Sequence, residues 1–298
     1  MKKLLAALIA TTCMTSAHAE GITEFNIGIL GGENAQDRIT SNECYRAAIE
    51  KEIGVPVKVF TPADYDGVIQ GLLGGTLDVA FLGASAYAKI TLTDAAAVEA
   101  PLTAMNVDGT TGYYSIGFTR KDTGITSIEE AKGKIFAFGE PNSTSGFLVP
   151  ASELTAVHGD LKAFFKDVPF SGGHEQTIVG VANGTYDAGV SFGDGIGDWA
   201  EGYTSGGFHK AAEAGLVDMN TLVEIWRSKL IPNGPFVIRA ALPQDVKDKV
   251  VKLTDTLAEV DHACAMSVNG GDLKDYVPVE AGFYDGIIEA RKFQDAQK

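Results

Sequence analysis

The chain has 298 residues, 45% of them hydrophobic and 21% charged, an ordinary globular composition long enough for one large domain or two lobes. Acidic residues outnumber basic ones 39 to 24, a net charge of −15. A field of that sign excludes general capture of nucleic acid or an anionic membrane, so an anionic ligand would need a local set of oriented donors.

The chain opens as an export signal. Lys2 and Lys3 precede the apolar run Leu4 to Ala10, and Ala17-His18-Ala19 has the small-residue pattern of a cleavage site. That run is shorter than the ~20 apolar residues needed to span a bilayer. Cys13 lies upstream of the cleavage site without a lipobox-like pattern before it, so no lipid anchor is expected. Removing residues 1–19, which hold two lysines and no acid, leaves 279 residues, a net charge of −17 and a periplasmic product starting at Glu20. Two cysteines then remain, Cys44 and Cys264. In an oxidising compartment they either form a disulfide or stay as two buried thiols. Two cysteines alone do not make a tetrahedral zinc site, and neither metal nor cofactor is expected.

Phe25 to Leu30 reads as an apolar strand, followed by a helix over Glu43 to Glu52 and a strand over Val57 to Phe60. The segment Gly71-Leu-Leu-Gly-Gly75-Thr76-Leu-Asp78 then recurs as Gly180-Val-Ala-Asn-Gly184-Thr185-Tyr-Asp187. Gly71, Gly75, Thr76 and Asp78 match their counterparts at a constant offset of 109 residues. Each copy predicts a helix ending at a glycine able to take positive φ, a Thr-x-Asp turn and an apolar strand. The offset extends to a strand at Ile135 to Phe138, a helix over Phe147 to Val157 and a strand near Val168 to Phe170.

Alternating strands and helices in two copies predict an α/β fold of two lobes, each with a mostly parallel sheet. Lobe 1 is expected to comprise residues 20–115 and 229–298, and lobe 2 residues 116–228. Crossings are expected near Tyr113 to Phe118 and Glu224 to Val237. The segment Pro243 to Val260 reads as an amphipathic helix with Val246, Val250 and Leu253 on one stripe, packing back on lobe 1.

Open α/β sheets bind ligands beyond the carboxyl ends of their strands. Tyr65, Ser85, Ser143-Thr144-Ser145, His174 and Asp194 fall in those loops, and the offset pairs Tyr65 with His174 and Ser85 with Asp194. Two such loop sets facing one another make a cleft that closes on a small solute. Between strand and helix, Asn142-Ser143-Thr144-Ser145-Gly146 offers three hydroxyls and several N–H groups at a helix start, a favourable place for an oxyanion. One hydroxyl would suffice for an ordinary cap. Ser143, His174 and Asp194 also include the residue types of a hydrolase triad, but no Gly-x-Ser-x-Gly elbow accompanies them, and no enzyme is expected.

Glu140-Pro-Asn-Ser-Thr-Ser-Gly-Phe-Leu-Val-Pro150 closely resembles the signature of the periplasmic phosphonate-binding proteins of ABC importers. The resemblance continues through Ala63 to Gly71, Gly112-Tyr113-Tyr114-Ser115, Gly173-His174-Glu175, Ile225-Trp226-Arg227-Ser228 and Leu230-Ile231-Pro232. It implies the type II solute-binding fold with a hinge of crossover strands. It also implies that Ser143, Thr144, Ser145 and His174 hold the phosphonyl oxygens, that Tyr65 and Tyr113 close the site, and that Asp194 receives a ligand amine. The implied ligands are 2-aminoethylphosphonate, methylphosphonate or phosphite, with phosphate or another oxyanion as the alternative. The implied partner is a membrane permease, and a monomer is expected. In one respect the chain departs from the pattern. Family members that bind aminoethylphosphonate carry a second acid between two prolines, where this chain has Pro232-Asn233-Gly234-Pro235. An ammonium group thus loses one partner, and Asp194 either takes the amine alone or accepts a hydrogen bond from a protonated P–OH.

Overall fold

The computed structural model describes residues 21–31 and 34–296; the expected signal segment lies outside them. In chain order, β1 (Phe25–Ile29), α1 (Ala35–Ile53), β2 (Val57–Phe60), α2 (Tyr65–Leu73), β3 (Val79–Phe81), α3 (Ala84–Thr93) and β4 (Val98–Met105) begin lobe 1. The strand β5 (Gly112–Arg120) leads into lobe 2, which continues with β6 (Phe136–Ala137), α4 (Val149–His158), α5 (Leu161–Phe164), α6 (His174–Ala182), β7 (Ala188–Gly193), α7 (Gly207–Glu213) and β8 (Leu222–Arg227). The chain then returns through β9 (Ile231–Pro232) and β10 (Pro235–Arg239) to α8 (Gln244–Asp255), α9 (Leu257–Val260), α10 (His262–Asn269), β11 (Asp275–Pro278) and α11 (Asp285–Asp295).

Two sheets result. The first has the order β11-β4-β10-β3-β1-β2 and the second the order β6-β7-β5-β8. The strand triplet β2-β1-β3 is parallel, as is β6 with β7, while β10, β11 and β5 run antiparallel to their neighbours. Each sheet is therefore mixed, with antiparallel strands supplied by β5 and β10, which the joining segments lead into, and by β11 from the C-terminal part of the chain. Residues 106–111 and 228–234 form the crossings, held together by a bond from Asn233 N to Thr111 O at 2.9 Å. Strand β5 itself starts at the hinge, where Gly112 and Tyr113 pair with β9, and continues into the lobe 2 sheet from Tyr114.

The repeated turn is built alike in both lobes. Gly75 and Gly184 take φ of 73° and 84°, values open to glycine at little cost. The Asp78 carboxylate accepts a bond from Asn26 N at 2.8 Å, and the Asp187 carboxylate accepts one from Ile135 N at 2.8 Å. The acceptor pair and the donor pair are both 109 residues apart, so the acid of each turn clamps the start of the strand beside it. Leu77 and Tyr186, also a pair at that offset, fill the space left by Gly71 and Gly180.

Four expected elements differ in extent, among them the helix expected over Pro243 to Val260, which breaks at Thr256 into α8 and α9. Helix α1 starts at Ala35, a full two turns before Glu43. The segment near Val168 to Phe170 makes only isolated bridges, Ile135 with Asp167 and Phe138 with Phe170. Pro169 between them has no N–H to continue a ladder. The expected helix over Phe147 to Val157 begins as a π-turn over Thr144–Leu148 before becoming α4. Val246 and Val250 of α8 are buried in the lobe 1 core and Leu253 packs at its edge. Cys44 in α1 and Cys264 in α10 form a disulfide with Cα atoms 5.8 Å apart, tying the C-terminal segment to the first helix. Among the described residues no helix is long and apolar enough to cross a membrane.

Candidate functional site

A cleft of about 810 Å³ separates the lobes, and Tyr65, Tyr113, Ser143, Thr144, Ser145, His174 and Asp194 all line it. Helix starts converge there: Asn34 and Arg38 from α1, Tyr65 from α2, Gly83 before α3, the turn before α4, and His174 opening α6. Asn34 caps α1 and Asp64 caps α2, whereas α3 and α6 begin after Gly83 and Gly173 without a capping side chain of their own. The positive ends of several helix dipoles therefore meet in one place, a local answer to the negative charge of the whole chain.

The Ser143–Ser145 loop owes its shape to a proline. Pro150 has no N–H to offer Gly146 O, which instead accepts from Gly139 N at 2.8 Å. The turn widens so that Leu148 N reaches Ser143 O at 3.0 Å, five residues back. Ser143 Oγ accepts from Gly146 N at 3.0 Å and lies 3.2 Å from His174 Nε2. The other ring nitrogen of His174 lies 3.3 Å from Ser191 Oγ, and the edge of Phe192 packs on the ring at 4.5 Å between centroids. Two hydroxyls and one aromatic side chain thus fix the imidazole at the anion loop. Ser145 O accepts from Ser115 Oγ at 2.7 Å, anchoring the loop to β5.

Residues of both lobes join at this loop. Ser85 N, in the first turn of α3, donates to Thr144 Oγ1 at 2.9 Å. Asn142 sits in a polar junction, donating to Asp66 at 3.2 Å and accepting from Lys89 Nζ at 3.3 Å, while Lys89 pairs with Asp66 at 2.5 Å. Tyr113 comes from the hinge end of β5 and packs edge-on against Phe192. Burial pushes its phenol above the ordinary value, with hydrogen bonding to Ser145 and Thr144 opposing, so it is a protonated donor near neutral pH. Burial likewise raises the Glu140 carboxyl, while a bond from Asn142 N opposes.

Asp194 lines the cleft, yet its carboxylate is already occupied. One oxygen accepts from Ile196 N at 3.1 Å and Thr204 N at 3.4 Å; the other accepts from Thr204 Oγ1 at 2.5 Å and Ser205 Oγ at 3.1 Å. Asn233 is also spent within the protein, donating to Ala104 O at 2.9 Å while its own carbonyl accepts from Thr103 and Tyr284. A Cβ at Gly234 would lie 1.8 Å from Leu82 O, so this backbone admits no side chain there.

Sequence reasoning missed Arg38, Asn42, Phe192, Ser205 and Lys210, which also line the cleft. For Arg38 and Asn42 a signal existed. They continue the inward stripe of α1, Tyr45, Ile49 and Ile53, and a buried polar end on an otherwise apolar stripe marks a site.

Residues 27–280 match the family described as ABC transporter, phosphonate, periplasmic substrate-binding protein. The chain is 30% identical to the phosphonates-binding periplasmic protein of Escherichia coli, over 83% of this chain and 72% of that one. It is 30% identical to the phosphate-import protein PhnD of Mycolicibacterium smegmatis, over 82% and 77%. Among solved structures, a binding protein component of an ABC phosphonate transporter from Pseudomonas aeruginosa superposes with a TM-score of 0.77 at 25% identity, covering 91% of this chain and 86% of that one. PhnD1 of Prochlorococcus marinus, solved with methylphosphonate, has the same fold, with a TM-score of 0.76 at 19% identity, covering 92% and 98%. Family match, relatives and fold agree, and the chain belongs to the phosphonate-binding family of periplasmic substrate-binding proteins of ABC transporters.

Proposed function

We propose that the protein captures a phosphonate-type oxyanion in this cleft and presents it to the membrane permease of an importer. Ser143, Thr144 and Ser145 donate hydroxyls and backbone N–H groups to the phosphonyl oxygens, His174 adds a ring nitrogen from lobe 2, and Tyr65 and Tyr113 cover the anion. One observation carries the reading: all seven residues expected from sequence line a single cleft onto which several helix starts converge. Because they come from both lobes, the ligand binds the closed arrangement better than an open one, and that difference drives closure. The protein acts after export and cleavage of the first nineteen residues, as a monomer that performs no chemistry on its ligand.

Calorimetry with methylphosphonate, phosphite, phosphate and 2-aminoethylphosphonate tests the proposal. Ser143→Ala should weaken the preferred ligand roughly 10- to 100-fold, the worth of a hydrogen bond to a charged group. A wild-type protein that binds none of these compounds would refute it. Phosphate is the second reading, favoured by the relative named as a phosphate-import protein. Tighter binding of phosphate than of any phosphonate would establish that one instead.

A further inference from the structure

We infer that Asp194 is a positioning residue for the closed cleft and not the acceptor of a ligand amine, so that the receptor does not select ammonium-bearing phosphonates. The inference rests on the anion site proposed above. An ionised carboxylate has about four acceptor positions, and donors from Ile196, Thr204 and Ser205 take four bonds at Asp194. An incoming ammonium would have to displace part of that set.

The strip that Asp194 holds leads directly to lobe 1. Ser205 bridges Gly271, Asp272 N donates to Thr204 O at 3.0 Å, and Gly206 N donates to Gly270 O at 3.4 Å. These backbone bonds join lobe 2 to the end of α10, which the Cys44–Cys264 disulfide mounts on α1. Gly271 has φ of 135°, and a Cβ there would lie 2.6 Å from Ser205 Cα, so the two strands approach as closely as backbone permits. Asp194 thus shapes the lobe 2 half of a backbone latch across the cleft.

Among the described residues, no other carboxylate in the cleft is placed for the task. Asn233 and Gly234 supply none, Glu175 is near Asn34 N at 3.5 Å across the cleft, and Asp37 and Glu213 are exposed at its rim. The ligand class that fits is a phosphorus oxyanion with an absent or uncharged substituent, such as phosphite or methylphosphonate.

The two roles of Asp194 predict different ratios. We would titrate wild type, Asp194→Asn, Thr204→Val and Gly271→Ala with methylphosphonate and 2-aminoethylphosphonate, and follow compaction by small-angle scattering. Thr204→Val removes one bond to Asp194 and keeps the side-chain shape, so it covers the case in which the harsher variants do not fold. The expected result is loss of affinity by the same factor for both ligands, on the order of tenfold, with reduced compaction on binding. Asp194→Asn combined with Gly271→Ala should lose less than the product of the two single effects, because both act on one contact. Loss confined to 2-aminoethylphosphonate would overturn the inference, as would full affinity for both ligands in Thr204→Val and Gly271→Ala. Absence of binding by wild type would instead remove the anion site itself.

Discussion

Arg291 and Asn142 join the two lobes beside the anion loop, the guanidinium donating to the side-chain carbonyl at 2.9 Å. Arg291, 2% exposed, also donates to Ser85 Oγ at 3.2 Å, to Pro141 O at 3.3 Å and to Asp295 at 3.0 Å. One side chain from the last helix therefore supports the start of α3 and the strand end that feeds Ser143. Arg291→Leu is expected to lower stability by about 2–3 kcal/mol, the range for bonds to a charged donor. It should also weaken phosphonate binding although Arg291 does not line the cleft. Urea unfolding and calorimetry on the same variant check both effects.

The two copies of the repeat should not tolerate loss of their acid equally. Asp78 is paired through Nε and Nη2 of Arg239 in addition to Asn26 N, whereas Asp187 holds Ile135 N without such a pairing among the described residues. Asp78→Ala strands a partly buried guanidinium and is expected to cost about 3 kcal/mol. For Asp187→Ala about 1–2 kcal/mol is expected. Chemical denaturation of both variants checks the order.

Reduction of the disulfide should destabilise the fold. Cys44 and Cys264 are 220 residues apart in sequence, and closing a loop of that length is worth about 2–5 kcal/mol in practice. A drop in melting temperature with reductant, absent in a Cys44→Ser/Cys264→Ser variant, is the expected outcome.

Alkaline pH should unfold the protein through its tyrosines. Burial pushes the phenols of Tyr45, Tyr113, Tyr203, Tyr276 and Tyr284 above their ordinary value, five of the nine tyrosines. The folded state keeps these protons when the unfolded chain gives them up near pH 10, so stability is intact below about pH 10 and falls as pH rises past it. Absorbance at the phenolate band should show these five groups ionising together with loss of near-ultraviolet circular dichroism.

The repeat made much of the fold legible. A constant offset located the positive-φ glycines, the clamping acids and the loops that meet at the cleft, because duplicated turns keep the residues their backbone requires. The beginning of α1 was hidden because its inward stripe changes from Tyr45, Ile49 and Ile53 to Asn42 and Arg38, and a hydrophobic period ends where a polar cleft begins. The π-turn was hidden because Pro150 reads as a helix start, while its effect falls on Gly146 four residues earlier. The position of Asp194 was legible from the offset, but its partners Thr204 and Ser205 were not. Nothing local in the sequence folds that strip back over the acid.

The order of strands in the lobe 1 sheet has a consequence for synthesis and export. Strand β10 lies between β3 and β4, and β11 lies outside β4, so the centre and one border of that sheet come from residues beyond 234. The lobe 2 sheet uses strands that end at Arg227. As the chain emerges from its amino end, the second lobe can finish while the first still exposes unpaired backbone on β3 and β4, the kind of edge that seeks any available strand. A nascent chain stopped after β8 would hold a completed lobe 2 beside a gap that only the last quarter of the molecule can fill.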